Sequence, residues 1–108
     1  MKRMVEALRN AGALFKTMEP LDLKALGIRK RIAGYMAVDT SGMYAALFYV
    51  EKKSRVLVKE AGELDAISQI VEQRAGHGVK KRFFVTTAPV CSKATAFLES
   101  NGWKVVPA

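Results

Sequence analysis

Apolar residues along the chain follow two different periods, which predicts that helices and strands alternate. Residues 2–11 carry apolar side chains at helical spacing and predict a first amphipathic helix with a basic outer face. Residues 13–18 predict a short strand that ends at Glu19, because Pro20 follows and the residue before a proline avoids the helical region. The segment 21–31 has apolar positions for one or two helical turns, so we expect a surface loop or a short helix there.

The longest apolar run predicts the central strand of a sheet. All residues from 44 to 50 are apolar and rich in aromatic and β-branched types, which is typical of a strand covered on both faces. Residues 35–39 predict a strand before it, and the turn residues 40–42 predict an antiparallel hairpin that joins the two. The apolar residues 56–58 are expected to extend this strand or to form an edge.

The second half of the chain predicts two helices that alternate with two strands. Residues 63–75 have apolar positions at helical spacing and acidic residues in the first turn, and Gly76 is expected to end this helix. Residues 81–87 predict a strand, Ser92 is expected to cap a short helix, and residues 103–106 predict the last strand. The predicted element order is therefore α-β-β-β-α-β-α-β.

This order and the composition together predict a single α/β domain that spans residues 1–108. A chain of 108 residues is long enough for one hydrophobic core, and 50% hydrophobic with 26% charged residues is ordinary for a globular protein. A hairpin followed by strand-helix-strand units predicts a mixed central β-sheet flanked by helices. No apolar run approaches the ~20 residues of a membrane helix and the N-terminus lacks a secretory apolar core, so we expect a cytoplasmic protein with no membrane association.

The small numbers of cysteine and histidine residues exclude an internal disulfide and a zinc site. Cys91 is the single cysteine, so no internal disulfide forms, and with His77 as the single histidine there is no Cys/His set for zinc. We expect Cys91 to be a small buried residue and His77 to be an exposed loop residue. Any metal must therefore be held by carboxylates.

The net charge of +8 is the strongest signal in the composition. A basic surface concentrates polyanions, and it binds phosphate backbones with an affinity that falls as salt rises. The alternative is that the charge only keeps a globular protein soluble. Clusters of Lys and Arg hold much of the excess, and the residues that we expect at a phosphate backbone are Arg29, Lys30, Arg31, Lys52, Arg55, Lys80, Lys81 and Arg82.

The predicted central strand ends abruptly in charge. Because side chains on a strand alternate between its faces, Glu51 and Lys53 are expected to share one face and Lys52 to lie on the other. A carboxylate and an ammonium then lie together at the rim of a buried sheet. Taken alone, these residues favour a solvated salt bridge of Glu51 with Lys52, Lys53 or Arg55.

Two stretches carry a resemblance to a known group of proteins. An apolar hairpin strand leads into Glu51-Lys52-Lys53-Ser54-Arg55, and the second half offers the strand end Phe84-Val85-Thr86-Thr87, a helix near 92–100 and then Asn101-Gly102-Trp103. In these motifs and in its element order, the chain resembles the restriction-endonuclease-like superfamily with its PD-(D/E)xK signature. The resemblance is strongest to the archaeal Holliday-junction resolvases and the Mrr-type restriction enzymes.

The resemblance implies a metal-dependent nuclease that hydrolyses phosphodiester bonds of DNA. By this resemblance, Glu51 and a second acid would hold Mg²⁺ against the scissile phosphate, and Lys53 would position the attacking water or stabilise the developing negative charge. The resolvases act as dimers because a two-fold junction suits a two-fold enzyme. A homodimer is therefore one expectation for this chain.

The second metal ligand departs from the pattern of the superfamily. The superfamily's Asp usually opens the first strand of the hairpin, and that place falls near Ala33 and Gly34, which cannot bind metal. The nearest acid is Asp39, which is the candidate second metal ligand and catalytic acid beside Glu51, although antiparallel pairing is expected to put it at the far end of the sheet. The alternatives that the sequence leaves open are Glu6, Glu60 and Asp65.

Three hypotheses about function follow. The first is a nuclease or a nuclease-derived DNA-processing protein, and the second is a non-catalytic nucleic-acid-binding module with a degenerate nuclease site. The third is a small protein-interaction domain in which the basic charge is incidental. The missing Asp favours the second hypothesis, and salt-dependent binding to nucleic acid distinguishes the first two from the third.

Overall fold

Helices and strands alternate in the structure in the order that the sequence predicts, α-β-β-β-α-β-α-β. The structure is a computed structural model, and it describes residues 2–10, 12, 15–27, 32–76, 78, 79 and 81–108. The expectations for residues 13, 14, 28–31, 77 and 80 fall outside these described residues. The elements are α1 (Lys2–Asn10), β1 (Phe15–Leu21), a 3-10 helix (Lys24–Leu26), β2 (Ala33–Asp39), β3 (Tyr44–Val50), α2 (Val58–Ala75), β4 (Lys81–Thr86), α3 (Ser92–Ser100) and β5 (Trp103–Pro107).

The strands form one mixed sheet in the order β1-β2-β3-β4-β5. β1, β2 and β3 pair antiparallel, whereas β4 runs parallel to β3 and β5 runs parallel to β4. β3 is the central strand, as its apolar run predicts, and Ala46, Leu47 and Phe48 have 0% exposure. The parallel pairs bring the carboxyl ends of β3, β4 and β5 to the same edge of the sheet.

Helices cover both faces of the sheet, and alternate residues of β3 contribute to two cores. Leu47 belongs to the core that contains Leu8 of α1. Phe48 belongs to the opposite core, with Leu64 of α2 and Leu98 of α3. Within the described residues, no helix is both long enough and apolar enough to cross a membrane.

β1 continues past the point at which the sequence predicts its end. Pro20 lies inside the strand and pairs with Tyr35 of β2. β1 is an edge strand, so only every second N–H is needed for pairing with β2. The strand therefore tolerates the absence of an N–H at Pro20. The prediction that Glu19 ends the strand is therefore wrong, and the proline instead protects the edge from pairing with another chain.

α2 begins at Val58, one turn before its predicted start at Glu63. Residues 56–58 do not extend β3, because Val56 makes only an isolated parallel bridge and the helix starts two residues later. Ala61 stabilises the additional turn, since it is fully buried in the core beneath the helix. The helix ends at Gly76 as predicted, where a φ of 75° suits glycine.

α3 begins with a sulfur cap. The N-cap residue is Cys91, whose Sγ accepts a hydrogen bond from the Ala94 N–H at 3.3 Å. Ser92, which the sequence predicts in this role, is already the first residue of the helix. Cys91 is half-buried rather than fully buried, and its sulfur contributes to the start of the helix.

Arg82 joins β4 to α2. Its Nη2 donates to both carboxylate oxygens of Glu72, at 2.9 and 3.0 Å, and its Nε donates to the buried Ser68 Oγ at 3.1 Å. The same carboxylate accepts from the Val79 N–H at 3.0 Å. These contacts use the Arg82 guanidinium to hold α2 on the sheet, and a role of Arg82 at a phosphate backbone stays a prediction.

Replacement of Glu72 by alanine is expected to lower the free energy of unfolding by about 2 kcal/mol, because the Arg82 guanidinium and the Val79 N–H both lose a largely buried acceptor. The matched control is Gln73→Ala on the exposed side of the same helix, which we expect to change the free energy by less than about 0.5 kcal/mol. Urea titrations of both variants measure the difference. Equal values for the two variants would contradict this role of Glu72.

Candidate functional site

Hydroxyl groups at the end of β4 hold the carboxyl end of β3. Thr86 Oγ1 donates to the Val50 carbonyl oxygen at 2.7 Å and accepts from the Ala88 N–H at 3.0 Å. Thr87 Oγ1 accepts from the Lys52 N–H at 3.3 Å. Both threonines thus make turn hydrogen bonds, and they fix the backbone at the point where the charged segment begins.

Glu51 and Lys53 lie at the exposed rim beyond the end of β3. The Tyr49 hydroxyl donates to Glu51 Oε1 at 3.1 Å, as expected for side chains two residues apart on a strand. β3 ends at Val50, however, and residues 53 and 54 form a bend. The alternation that predicts a common face for Glu51 and Lys53 therefore does not extend to Lys53, although both side chains are exposed.

Lys52 forms an ion pair with Glu60 in the first turn of α2. The Lys52 side chain is only 25% exposed. A salt bridge is therefore present at the strand end, and it joins Lys52 to α2. The ammonium of Lys52 is thus held by a carboxylate of the same chain, and its role at a phosphate backbone stays a prediction.

A cavity of about 620 Å³ lies between the end of β3 and the first turns of α2. Its charged lining residues are Glu51, Glu60 and Glu63 with Lys52 and Lys59. Its apolar lining residues are Ile32, Val50, Val56, Leu64 and Phe84. The cavity thus combines carboxylate and ammonium groups above an apolar wall.

The β2–β3 hairpin does not bring a second carboxylate to Glu51, as the magnesium centre that the resemblance implies would require. Within the described residues, no three Asp, Glu, His or Cys side chains come close enough together to hold a metal ion. Gly34 leaves little room for a further ligand, because a Cβ there would lie 3.3 Å from both methyl groups of Leu23 and 3.4 Å from Phe48 Cε1. An Asp at this place would bury its charge among apolar side chains.

Asp39 lies at the opposite end of the hairpin from Glu51. In the register of β2 and β3, Val38 pairs with Tyr44, so Asp39 lies opposite Met43 and about 25 Å of chain separates it from Glu51. Asp39 therefore cannot share a metal ion with Glu51, which corrects the expectation of a common site.

The carboxylate of Asp39 instead organises the turn of the hairpin. Asp39 Oδ1 accepts from the Met43 N–H at 2.9 Å and from the Ser41 N–H and hydroxyl at 2.9 and 2.8 Å. The hydrogen bond from Met43 is the largest of several effects that lower the pKa of Asp39, and those from Ser41 add to it. Asp39 is therefore a structural residue of the turn.

The other predicted basic residues divide between the two ends of the sheet. Lys81 is exposed at the start of β4 and pairs with Ala45, so it lies at the end of the sheet away from Glu51. Arg55 is exposed on the segment that follows Lys53. The remaining predicted residues, Arg29, Lys30, Arg31 and Lys80, lie outside the described part of the chain.

One exposed cation near Glu51 is absent from the sequence-based prediction. Lys59 lines the cavity from the first turn of α2, and it lies between the predicted strand residues 56–58 and the predicted helix start at Glu63. The signal that would have revealed it is Ala61, which precedes Leu64 by three residues and so continues the helical spacing. We refer to Lys53, Arg55 and Lys59 together as the rim cations.

Solved structures of endonucleases share this architecture. The chain matches EndoMS in its apo form over 99% of its length, with a TM-score of 0.59 and 19% sequence identity. It matches a repair endonuclease from Pyrococcus abyssi over 99% of its length, with a TM-score of 0.60 and 17% identity. The chain has the restriction-endonuclease-like fold. It also matches EndoMS in a complex with double-stranded DNA over 99% of its length, with a TM-score of 0.56 and 19% identity.

The chain spans less than half of the length of each of these solved proteins. The matched shares of the three solved chains are 45%, 46% and 43%. No protein-family model matches the sequence, and no curated protein matches it significantly. The likeness thus establishes the fold, and the roles of individual residues depend on the geometry of the site.

The lowered pKa of Asp39 predicts a contribution to stability that depends on pH. Because the pKa is lower in the folded state, the contribution is complete above the pKa of the unfolded chain and is lost as the pH falls through the folded value. In urea titrations across acidic pH, we expect Asp39→Asn to remove this part of the pH dependence. Ser41→Ala should reduce it without abolishing it, since the Met43 N–H remains a donor, and an unchanged profile for Asp39→Asn would contradict the assignment.

Proposed function

We propose that this chain binds DNA through the rim at the carboxyl end of β3, and that it does so without cutting the DNA. The observation that carries the proposal is the position of the rim cations, which are all exposed on the segment that borders the cavity. Exposed Lys and Arg side chains bind phosphates through charge-assisted hydrogen bonds and through the release of counterions. In a chain with a net charge of +8, a polyanion is the favoured partner.

The fold supports DNA as this polyanion. The solved proteins with this fold include a repair endonuclease, and EndoMS has been solved in a complex with double-stranded DNA. A shared fold does not carry a reaction with it, because chemistry depends on the residues at the site. The rim of this chain has the cations that binding needs, whereas the described residues of β2 offer no carboxylate beside Glu51.

Three features of the site favour binding over hydrolysis. Metal-dependent phosphodiester hydrolysis needs carboxylates that converge on the scissile phosphate. Here Gly34 is packed against apolar side chains, Asp39 lies at the other end of the sheet, and Glu60 is paired with Lys52. Glu51 is thus without a second carboxylate in a suitable place on β2.

Removal of the rim cations is expected to weaken DNA binding and to flatten its salt dependence. For the triple variant Lys53→Ala, Arg55→Ala, Lys59→Ala, we expect the slope of log affinity against log salt to fall by about 3, and the affinity to fall by more than about tenfold at moderate salt. Gel retardation and fluorescence anisotropy with a labelled duplex, at several salt concentrations, measure both quantities.

The matched control removes the same charge from the opposite end of the sheet. Lys16, Arg74 and Lys81 are exposed there, at the start of β1, the end of α2 and the start of β4. Their triple alanine variant should bind nearly as tightly as the wild type. Equal losses for the two triple variants would mean that the charge acts without a defined surface, and this result would overturn the proposed interface.

A metal-dependent nuclease is the second candidate function. The observation that favours it is that Glu51 and Lys53 are both exposed at the end of the central strand, in the Glu-x-Lys spacing of the resembling enzymes. In such a reaction, Lys53 would stabilise the negative charge that develops on the phosphate. A homodimer belongs with this candidate, because two copies suit the two-fold symmetry of a junction or duplex.

We expect no cleavage of labelled single-stranded, duplex or four-way-junction DNA in the presence of Mg²⁺ or Mn²⁺, because the described residues of β2 place no carboxylate beside Glu51. The measurement compares the wild type with Glu51→Gln and Lys53→Ala and records binding in the same gels. Cleavage that disappears in both variants would replace the binding proposal with the nuclease. Cleavage that persists in both would indicate a contaminating activity.

A further inference from the structure

The connection between β3 and α2 is a short, firmly held projection. Val56 is 1% exposed and lies in the middle of it. Its N–H donates to the Pro89 carbonyl oxygen at 2.8 Å, and its carbonyl oxygen accepts from the Cys91 N–H at 3.1 Å. The residues on both sides of Val56 are therefore attached to the segment that precedes α3 and do not depend on loop packing alone.

Two large apolar side chains face solvent directly after this anchor. Leu57 is 52% exposed and Val58 is 41% exposed. Among the described residues, Leu57 has the highest exposure of any large hydrophobic side chain. A rigid backbone therefore presents an apolar tip at the same edge of the sheet as Glu51.

The position of Leu57 is unfavourable for the stability of α2. Leu57 is the N-cap residue, and its side chain makes no capping hydrogen bond. Ser, Thr, Asp or Asn at this place would accept a bond from a free N–H of the first turn, which leucine cannot do. Leucine at this place therefore forgoes the stabilisation that a polar cap would supply.

The surroundings of the tip indicate what it contacts. The rim cations lie within four residues of Leu57 on both sides, and all three are exposed. A duplex nucleic acid presents phosphates to the cations and a stack of apolar base faces to a side chain between them. Apolar wedges of one or two side chains are sufficient to unstack a base step, whereas anchoring in a membrane needs a larger apolar surface.

We propose that Leu57, supported by Val58, is a wedge that enters between neighbouring base pairs of the bound duplex while the rim cations hold its phosphates. This inference rests on the proposed function, because it requires that the chain binds DNA. Unstacking a base step is unfavourable, and the phosphate contacts together with burial of the Leu57 side chain offset it.

The test measures unstacking and affinity separately. A duplex that contains 2-aminopurine is suitable, since the fluorescence of this base increases when it loses its stacked neighbours. The wild type should increase the 2-aminopurine fluorescence. Leu57→Ala should bind about fivefold more weakly and leave the fluorescence unchanged. Ile70→Ala is the matched control, because Ile70 is 41% exposed on the same helix, and it lies about 20 Å further along. This control should behave as the wild type does.

A second variant separates the wedge from an effect on folding. Leu57→Ser should raise the melting temperature by about 3 °C, because it supplies the missing cap, and it should still lose the fluorescence signal. A more stable protein that no longer unstacks the duplex supports the wedge. Retained brightening in Leu57→Ser and Leu57→Ala would overturn it.

The remaining outcomes distinguish this inference from the proposed function. Failure of the wild type to bind the duplex at low salt would overturn both. A different outcome is that the wild type binds tightly and with salt dependence but does not raise the 2-aminopurine fluorescence, and that Leu57→Ala binds with equal affinity. This outcome would overturn the wedge and leave the DNA-binding proposal intact. The protein could also bind vesicles of phosphatidylserine and phosphatidylcholine, lose this binding in Leu57→Ala, and leave the 2-aminopurine fluorescence of DNA unchanged. This result would assign the tip to a membrane and overturn the wedge.

Discussion

Burial of β3 on both faces is the constraint on which the rest of this structure depends. Leu47 and Phe48 contribute to opposite cores and have no exposed surface. A strand covered in this way cannot accommodate a charged side chain within its length, because the free energy of removing an unpaired charge from water far exceeds what packing in an apolar core restores. The charged groups are therefore displaced to the end of the strand, and Glu51 is the first of them.

The early start of α2 decides which of these groups face solvent. Because the helix begins at Val58, its first turn brings Glu60 to Lys52, and that ion pair closes one side of the cavity. The same turn places Leu57 and Lys59 on the outside. The helix start at Val58 thus determines which charged and apolar side chains lie together at the end of β3.

The fold and the chemistry of its site are separable in this protein. The architecture follows that of solved endonucleases over nearly the whole chain, and Glu51 and Lys53 follow the central strand directly. Gly34 and Asp39 show how the site differs, because one is packed against Leu23 and Phe48 and the other organises a distant turn. The fold depends on the apolar pattern, whereas a metal centre depends on a few carboxylates that the pattern does not require.

The sequence by itself determined the element order, the central position of residues 44–50 and the end of α2 at Gly76, because apolar periodicity and the backbone freedom of glycine are local properties. The tertiary structure alone decided that Pro20 is tolerated at an edge, that Arg82 binds Glu72 and that Lys52 binds Glu60. These outcomes depend on which elements lie side by side and in what register. Contacts between side chains that are distant in sequence arise only when the sheet and helices pack, so periodicity along the chain does not encode them.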